Sequence, residues 1–97
     1  MKIIAEFTLV PIGVGVSLSP YVAECGKILR LSGVKAVLHA NGTNLEGDWD
    51  AVMAAVKSCH EAVHRKGAPR IFSTLKINTR TDRDQTMADK IASVESK

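Results

Sequence analysis

Aromatic side chains are scarce: two Phe, one Trp and one Tyr make up 4% of 97 residues. Phe72 is the only one of them beyond residue 56, so the more basic part of the chain has no ladder of rings on which bases could stack, and nucleic acid is not expected as a partner. Cysteine is scarce too. Cys25 and Cys59 cannot form a disulfide framework and do not have the spacing of a metal-binding pair. No apolar run approaches the roughly 20 residues of a membrane span, because Glu6 interrupts the first one. The first residues have neither the long apolar region nor the small-residue cleavage site of a secretion signal, which leads us to expect a cytosolic protein. What remains is an ordinary globular composition, 45% hydrophobic and 24% charged. Its length suits one domain over residues 1–97, and the same numbers exclude disordered or collagen-like chains. A chain of this size buries roughly 60–70% of its unfolded surface, enough for one modest core.

The net charge of +3 is unevenly spread. Residues 1–56 carry four Lys/Arg against five Asp/Glu, and residues 57–97 carry nine against five. This basic surplus, centred on Arg65, Lys66, Arg70, Lys76, Arg80 and Arg83, suits a small anionic ligand or ion pairs across an interface.

Hydrophobic periodicity orders the chain. Ile3, Ala5, Phe7 and Leu9 alternate with Ile4, Glu6, Thr8 and Val10, as in a strand with one buried face. Gly13 and Gly15 open a loop. Ser19-Pro20 starts a helix, with Ser as N-cap and Pro at the first helical position. That helix runs to about Leu31 with Val22, Gly26 and Leu29 on its stripe, and Gly33 stops it. A strand from Val34 to Ala40 meets Asn41-Gly42, a signal for a type I′ hairpin turn, and a short strand returns from Thr43 to Glu46. Asp48 caps a long helix to about Lys66, with an apolar stripe of Trp49, Val52, Val56, Cys59 and Val63. A long strand follows from Arg70 to Arg80, then a helix from near Asp82 with Met87, Ile91 and Val94 inward. The order β-α-β-β-α-β predicts an α+β, ferredoxin-like sandwich with an additional C-terminal helix. Glu6, Thr8, Thr74, Lys76, His39 and Glu46 fall on the sheet face away from the two helices, mixed with Ile4, Val10, Val37 and Phe72. A half-apolar open face on so small a domain predicts self-association.

Two motifs resemble catalytic or cofactor signatures without completing them. His60-Glu61-Ala62-Val63-His64 matches H-E-x-x-H, which sets two imidazoles on one helical face to hold zinc. Gly67 extends the match to the longer pattern, but its third histidine falls on Arg70, which has no lone pair to give. The reading preferred here puts both histidines on the exposed or interface flank of the helix. Gly13-x-Gly15 sits between a strand and a helix without the third glycine of a dinucleotide fingerprint. It is either a plain connector or a ligand loop fed by free N–H groups after Ser19. Cys25 and Cys59 read as small core residues. No catalytic residue, metal site or cofactor is expected.

Six segments together resemble the YkoF-related thiamine-binding protein family. They are Val10-Pro11-Ile12-Gly13, Ser19-Pro20-Tyr21-Val22, Ser32-Gly33-Val34, Gly42-Thr43-Asn44-Leu45-Glu46-Gly47-Asp48-Trp49, Gly67-Ala68-Pro69-Arg70-Ile71 and Lys76-Ile77-Asn78-Thr79-Arg80. The resemblance covers nearly the whole chain. It implies a ferredoxin-like fold and a non-catalytic cytosolic protein that binds thiamine or a related pyrimidine such as hydroxymethylpyrimidine. It also implies assembly as a dimer or a dimer of dimers, a homotetramer. A flat cationic ligand wants a carboxylate, hydrogen-bonding groups at the ring edge and an apolar wall. Glu46 is the candidate for the charge, Thr43, Asn44 and Ser19 for the ring edge, and Tyr21 or Phe72 for the wall. Glu46 has a competing role in an ion pair with Lys76 or Arg70, Thr43 in turn chemistry, and Tyr21 in packing on Pro11. Arg70, Lys76, Arg80 and Arg83 support a second reading, a phosphorylated metabolite bound at a basic site between subunits.

Overall fold

A computed structural model describes residues Met1–Lys97. The elements are β1 (Lys2–Ile12), α1 (Ser19–Leu31), β2 (Lys35–His39), β3 (Gly42–Asp48), α2 (Trp49–Arg65), β4 (Arg70–Asn78) and α3 (Met87–Glu95). The strands form one antiparallel sheet in the order β2-β3-β1-β4. This is the ferredoxin-like arrangement expected, with α3 appended.

The alternation of β1 sets the layers. Ile3, Ala5, Phe7 and Leu9 are buried and meet Leu45 of β3, Leu29 of α1, and Val52, Cys59 and Val63 of α2 in one core. Burying a Leu, Ile or Val side chain contributes about 1.5–3 kcal/mol, so these few residues supply much of the drive to fold. Glu6, Thr8, Asn44, Glu46, Thr74 and Lys76 occupy the alternate positions, on the face without α1 and α2.

The structure corrects several local expectations. The N-cap of α1 is Leu18, not Ser19, and no side chain caps this end. The face of α1 toward the core is Cys25 and Leu29, while Val22 remains 40% exposed. Gly33 does stop the helix, with φ of 79° just after the C-cap Ser32. The β2–β3 turn is Ala40-Asn41 rather than Asn41-Gly42, because His39 pairs with Gly42, and no non-glycine residue has positive φ, so it is not type I′. Gly42 is required for another reason: a Cβ there would lie 2.9 Å from the Phe7 carbonyl oxygen. β3 is longer than expected and runs directly into α2, where Trp49 is 40% exposed. The last helix starts at Met87, behind a capping box of Thr86 and Asp89. Only Met87 of its stripe is buried, with Ile91 and Val94 exposed. The radius of gyration, 14.4 Å, exceeds the about 12.5 Å of a compact chain of this length, in keeping with a last helix held by one buried residue.

Candidate binding groove

The largest concavity lies on the helix side of the sheet, between α1 and the strands β2 and β3. α1 reaches the core through Cys25 and Leu29, and Gly26 presents no side chain to fill the space beside them. The short edge strand β2 leaves Leu38 70% exposed opposite Val22. The result is a groove of ≈ 640 Å³ between these walls, with Leu18 and Leu29 adding apolar surface. A smaller cavity of ≈ 230 Å³, sharing Leu18, Val22, Leu29, Leu38 and Thr43, extends it toward Phe7, Cys25 and Asn41. The polar groups of the main groove are few: Ser19, Thr43 and the Arg30 guanidinium. A mostly apolar concavity of this size with a few polar groups is the usual form of a small-molecule site.

The residues singled out from the sequence do not converge. Ser19 and Thr43 line the groove. Tyr21 packs half-buried against the core, which favours its packing role. Asn44 and Glu46 lie on the opposite face of the sheet from Thr43, since neighbours along a strand alternate. Glu46 Oε1 accepts a hydrogen bond from the Met87 N–H at 2.6 Å, so it is tied to the start of α3 rather than to Lys76 or Arg70. The groove residues missed in the sequence, Leu18, Val22 and Leu38, resemble ordinary core positions there. Only the packing of α1 against an edge strand leaves them open.

The open face carries a polar cluster. Glu6 holds Lys76 Nζ at 3.3 Å through one oxygen and His39 Nε2 at 3.3 Å through the other. The Asn41 N–H donates to His39 Nδ1, which places the proton of a neutral imidazole on Nε2; that nitrogen is buried and, although 3.3 Å from Glu6, makes no hydrogen bond. Exposed Val37 and Phe72 lie on the same face. The basic residues do not form one patch: Arg70 and Lys76 are about 20 Å apart along an extended strand. Arg80 binds Asp82 and Gln85 beyond the end of β4, where it shares a polar cleft of ≈ 170 Å³ with Lys2 and Arg83.

The H-E-x-x-H histidines differ from each other. His64 is exposed as expected, and its Nδ1–H donates to the Ala68 carbonyl at 2.8 Å. His60 turns inward instead, with Nε2 2.7 Å from the Ser73 hydroxyl of β4. Burial first, and the neighbouring His64 second, hold His60 below the ordinary imidazole pKa.

Comparison with known proteins places this architecture. The family described as "Thiamine-binding protein" matches residues 5–95. The chain belongs to the thiamine-binding protein family. Among its relatives is the UPF0045 protein sll0230 of Synechocystis sp., 58% identical over 96 residues, covering 99% of this chain and 79% of that one. A solved structure of the hypothetical protein MJ1052 from Methanocaldococcus jannaschii has a TM-score of 0.90 at 34% identity, covering 97% of this chain and 96% of that one. A Thermotoga maritima protein provisionally assigned to thiamine biosynthesis or salvage shares the fold, with a TM-score of 0.83 at 19% identity over 97% of this chain and 99% of that one. No helix of this family member is long and apolar enough to cross a membrane.

Proposed function

We propose that this member of the thiamine-binding protein family is a non-catalytic, cytosolic homo-oligomer that binds thiamine or a related pyrimidine such as hydroxymethylpyrimidine in the groove between α1 and β2–β3. The observation that carries the reading is the groove itself, an apolar cavity of ≈ 640 Å³ with isolated hydroxyls in a chain of this family. Leu18, Val22 and Leu38 offer apolar walls to a flat ring, while Ser19 and Thr43 offer hydrogen bonds to its edge. The ionic side chain at this groove is a cation, Arg30. Its charge favours the uncharged pyrimidine, or a phosphate ester of either compound, over a bare thiazolium. The open face, with exposed Val37 and Phe72 around the Glu6 cluster, is the surface proposed for self-association as a dimer or dimer of dimers.

A second reading, a phosphorylated metabolite held by basic residues, is favoured by the polar cleft of Lys2, Arg80 and Arg83. Isothermal titration with hydroxymethylpyrimidine, thiamine and thiamine phosphate at two salt concentrations separates the readings. Groove binding predicts saturable heat with hydroxymethylpyrimidine that salt changes little. Binding of the phosphate alone, weakening with salt and lost in Arg83→Gln but kept in Thr43→Val, would move the site to the cleft.

A further inference from the structure

Cys25 and Cys59 lie 34 residues apart in sequence, one on α1 and one on α2, and the packing of the two helices brings them together. Cys59 is completely buried, and its Sγ lies 3.8 Å from the Cys25 carbonyl oxygen. Cys25 is 6% exposed, and it forms part of the wall of the smaller cavity that continues the groove. Cys25 of this neighbouring pair therefore borders a space of ≈ 230 Å³ large enough for small solutes, while Cys59 does not line it.

We propose that Cys25 and Cys59 form a peroxide-reactive dithiol opening on the groove, with Cys25 as the attacking sulfur and Cys59 as the resolving one. This proposal concerns the thiols alone and does not depend on what else the groove binds.

The arrangement has the parts such a reaction needs. The Cys59 S–H donates to the Cys25 backbone carbonyl oxygen, and the Cys59 side chain beside it holds the Cys25 thiol below its ordinary pKa despite burial and the nearby Glu24 carboxylate. The Cys25 side chain, with burial, pushes the Cys59 thiol upward and keeps it protonated. The thiolate is the nucleophile in cysteine chemistry, and the cysteine that borders the cavity is the more readily ionised of the two. In the first step the Cys25 thiolate attacks one oxygen of hydrogen peroxide. The O–O bond breaks, hydroxide leaves and takes up a proton to become water, and Cys25 becomes a sulfenic acid. In the second step Cys59 sulfur attacks Cys25 sulfur, the S–O bond breaks, and the Cys59 proton leaves with the hydroxyl as a second water. Two thiols lose two electrons in all and one peroxide gains them, leaving a disulfide that ties α1 to α2.

The test is intact-mass analysis of the folded protein after peroxide, with free thiols alkylated in denaturant. Wild type should lose about 2 Da, take up no alkylating label, and recover both thiols on reduction. Peptide mapping should find residues 25 and 59 joined within one chain, a result that does not depend on any variant folding. Cys59→Ser should stop at the sulfenic acid, which dimedone traps, and Cys25→Ser should leave Cys59 unreacted. The proposal is overturned if wild type keeps both thiols at peroxide levels that oxidise a free small thiol. A crosslink between chains, or Cys25→Ser reacting as fast as wild type, would overturn it as well.

Discussion

The Glu46 carboxylate on β3 accepts a hydrogen bond from the backbone N–H of Met87, the first residue of α3, at 2.6 Å. This joins the open face of the sheet to a helix that otherwise buries one residue. A carboxylate at a helix N-terminus also interacts favourably with the helix dipole.

Replacing Glu46 with Gln should therefore loosen α3 and leave the core intact. Losing a charge-assisted bond of this kind costs about 1–2 kcal/mol, and here the loss should be local. Amide exchange should speed up in residues 87–95 while exchange in β1 and α2 stays unchanged. If Glu46→Gln instead abolished pyrimidine binding without affecting α3, Glu46 would be a ligand contact and not a helix anchor.

Gly42→Ala tests the approach of β3 to β1. The added Cβ would lie 2.9 Å from Phe7 O and 3.0 Å from Thr8 Oγ1, so backbone must shift. The expected cost is about 1–3 kcal/mol, read as a lower urea midpoint at an unchanged slope. A midpoint equal to wild type would show that the strands can move apart freely.

His60 makes stability depend on pH. Because its pKa is lowered in the folded protein, by burial first and His64 second, the unfolded chain binds the proton more readily. Its contribution is full above the unfolded value of about 6.5 and is lost as pH falls through the lower folded value. The urea midpoint should fall on acidification below neutrality, and the His60 ring resonance should titrate below about 6.5. Titration of His60 above that value would reverse the sign and contradict the packing described.

Phe72→Glu tests the open face as a surface for self-association. Phe72 is 65% exposed and does not belong to the core, so a charge there should leave folding unaffected. Sedimentation should show wild type heavier than its 10.4 kDa chain mass, and the variant shifted toward that mass. A wild type that sediments as a monomer at micromolar concentration would remove the proposal.

The strands and helices were legible because burial follows the periodicity of β1 and α2 directly. The β2–β3 turn lies one residue earlier than the Asn-Gly signal indicates: that signal is local, whereas the closeness of Gly42 to Phe7 is a contact between distant strands. The candidate ligand residues illustrate a different limit. Thr43, Asn44 and Glu46 look like one cluster in sequence, yet the alternation that identifies β3 as a strand also sends Thr43 to the opposite face from the other two. The groove could not be read at all, since an exposed Val22 and a buried one have the same periodicity. It exists because α1 packs on the core through Cys25 and Leu29 and meets an edge strand of only five residues, which leaves Val22 and Leu38 partly uncovered.

Binding of a pyrimidine between α1 and β2–β3 can be read residue by residue from amide chemical shifts of the labelled protein during titration with hydroxymethylpyrimidine. Saturable shifts are expected at Leu18, Ser19, Val22, Leu38 and Thr43, with the resonances of Glu6, Thr74 and Lys76 nearly unmoved. Shifts confined to the open face, or no shifts at millimolar ligand, would contradict it.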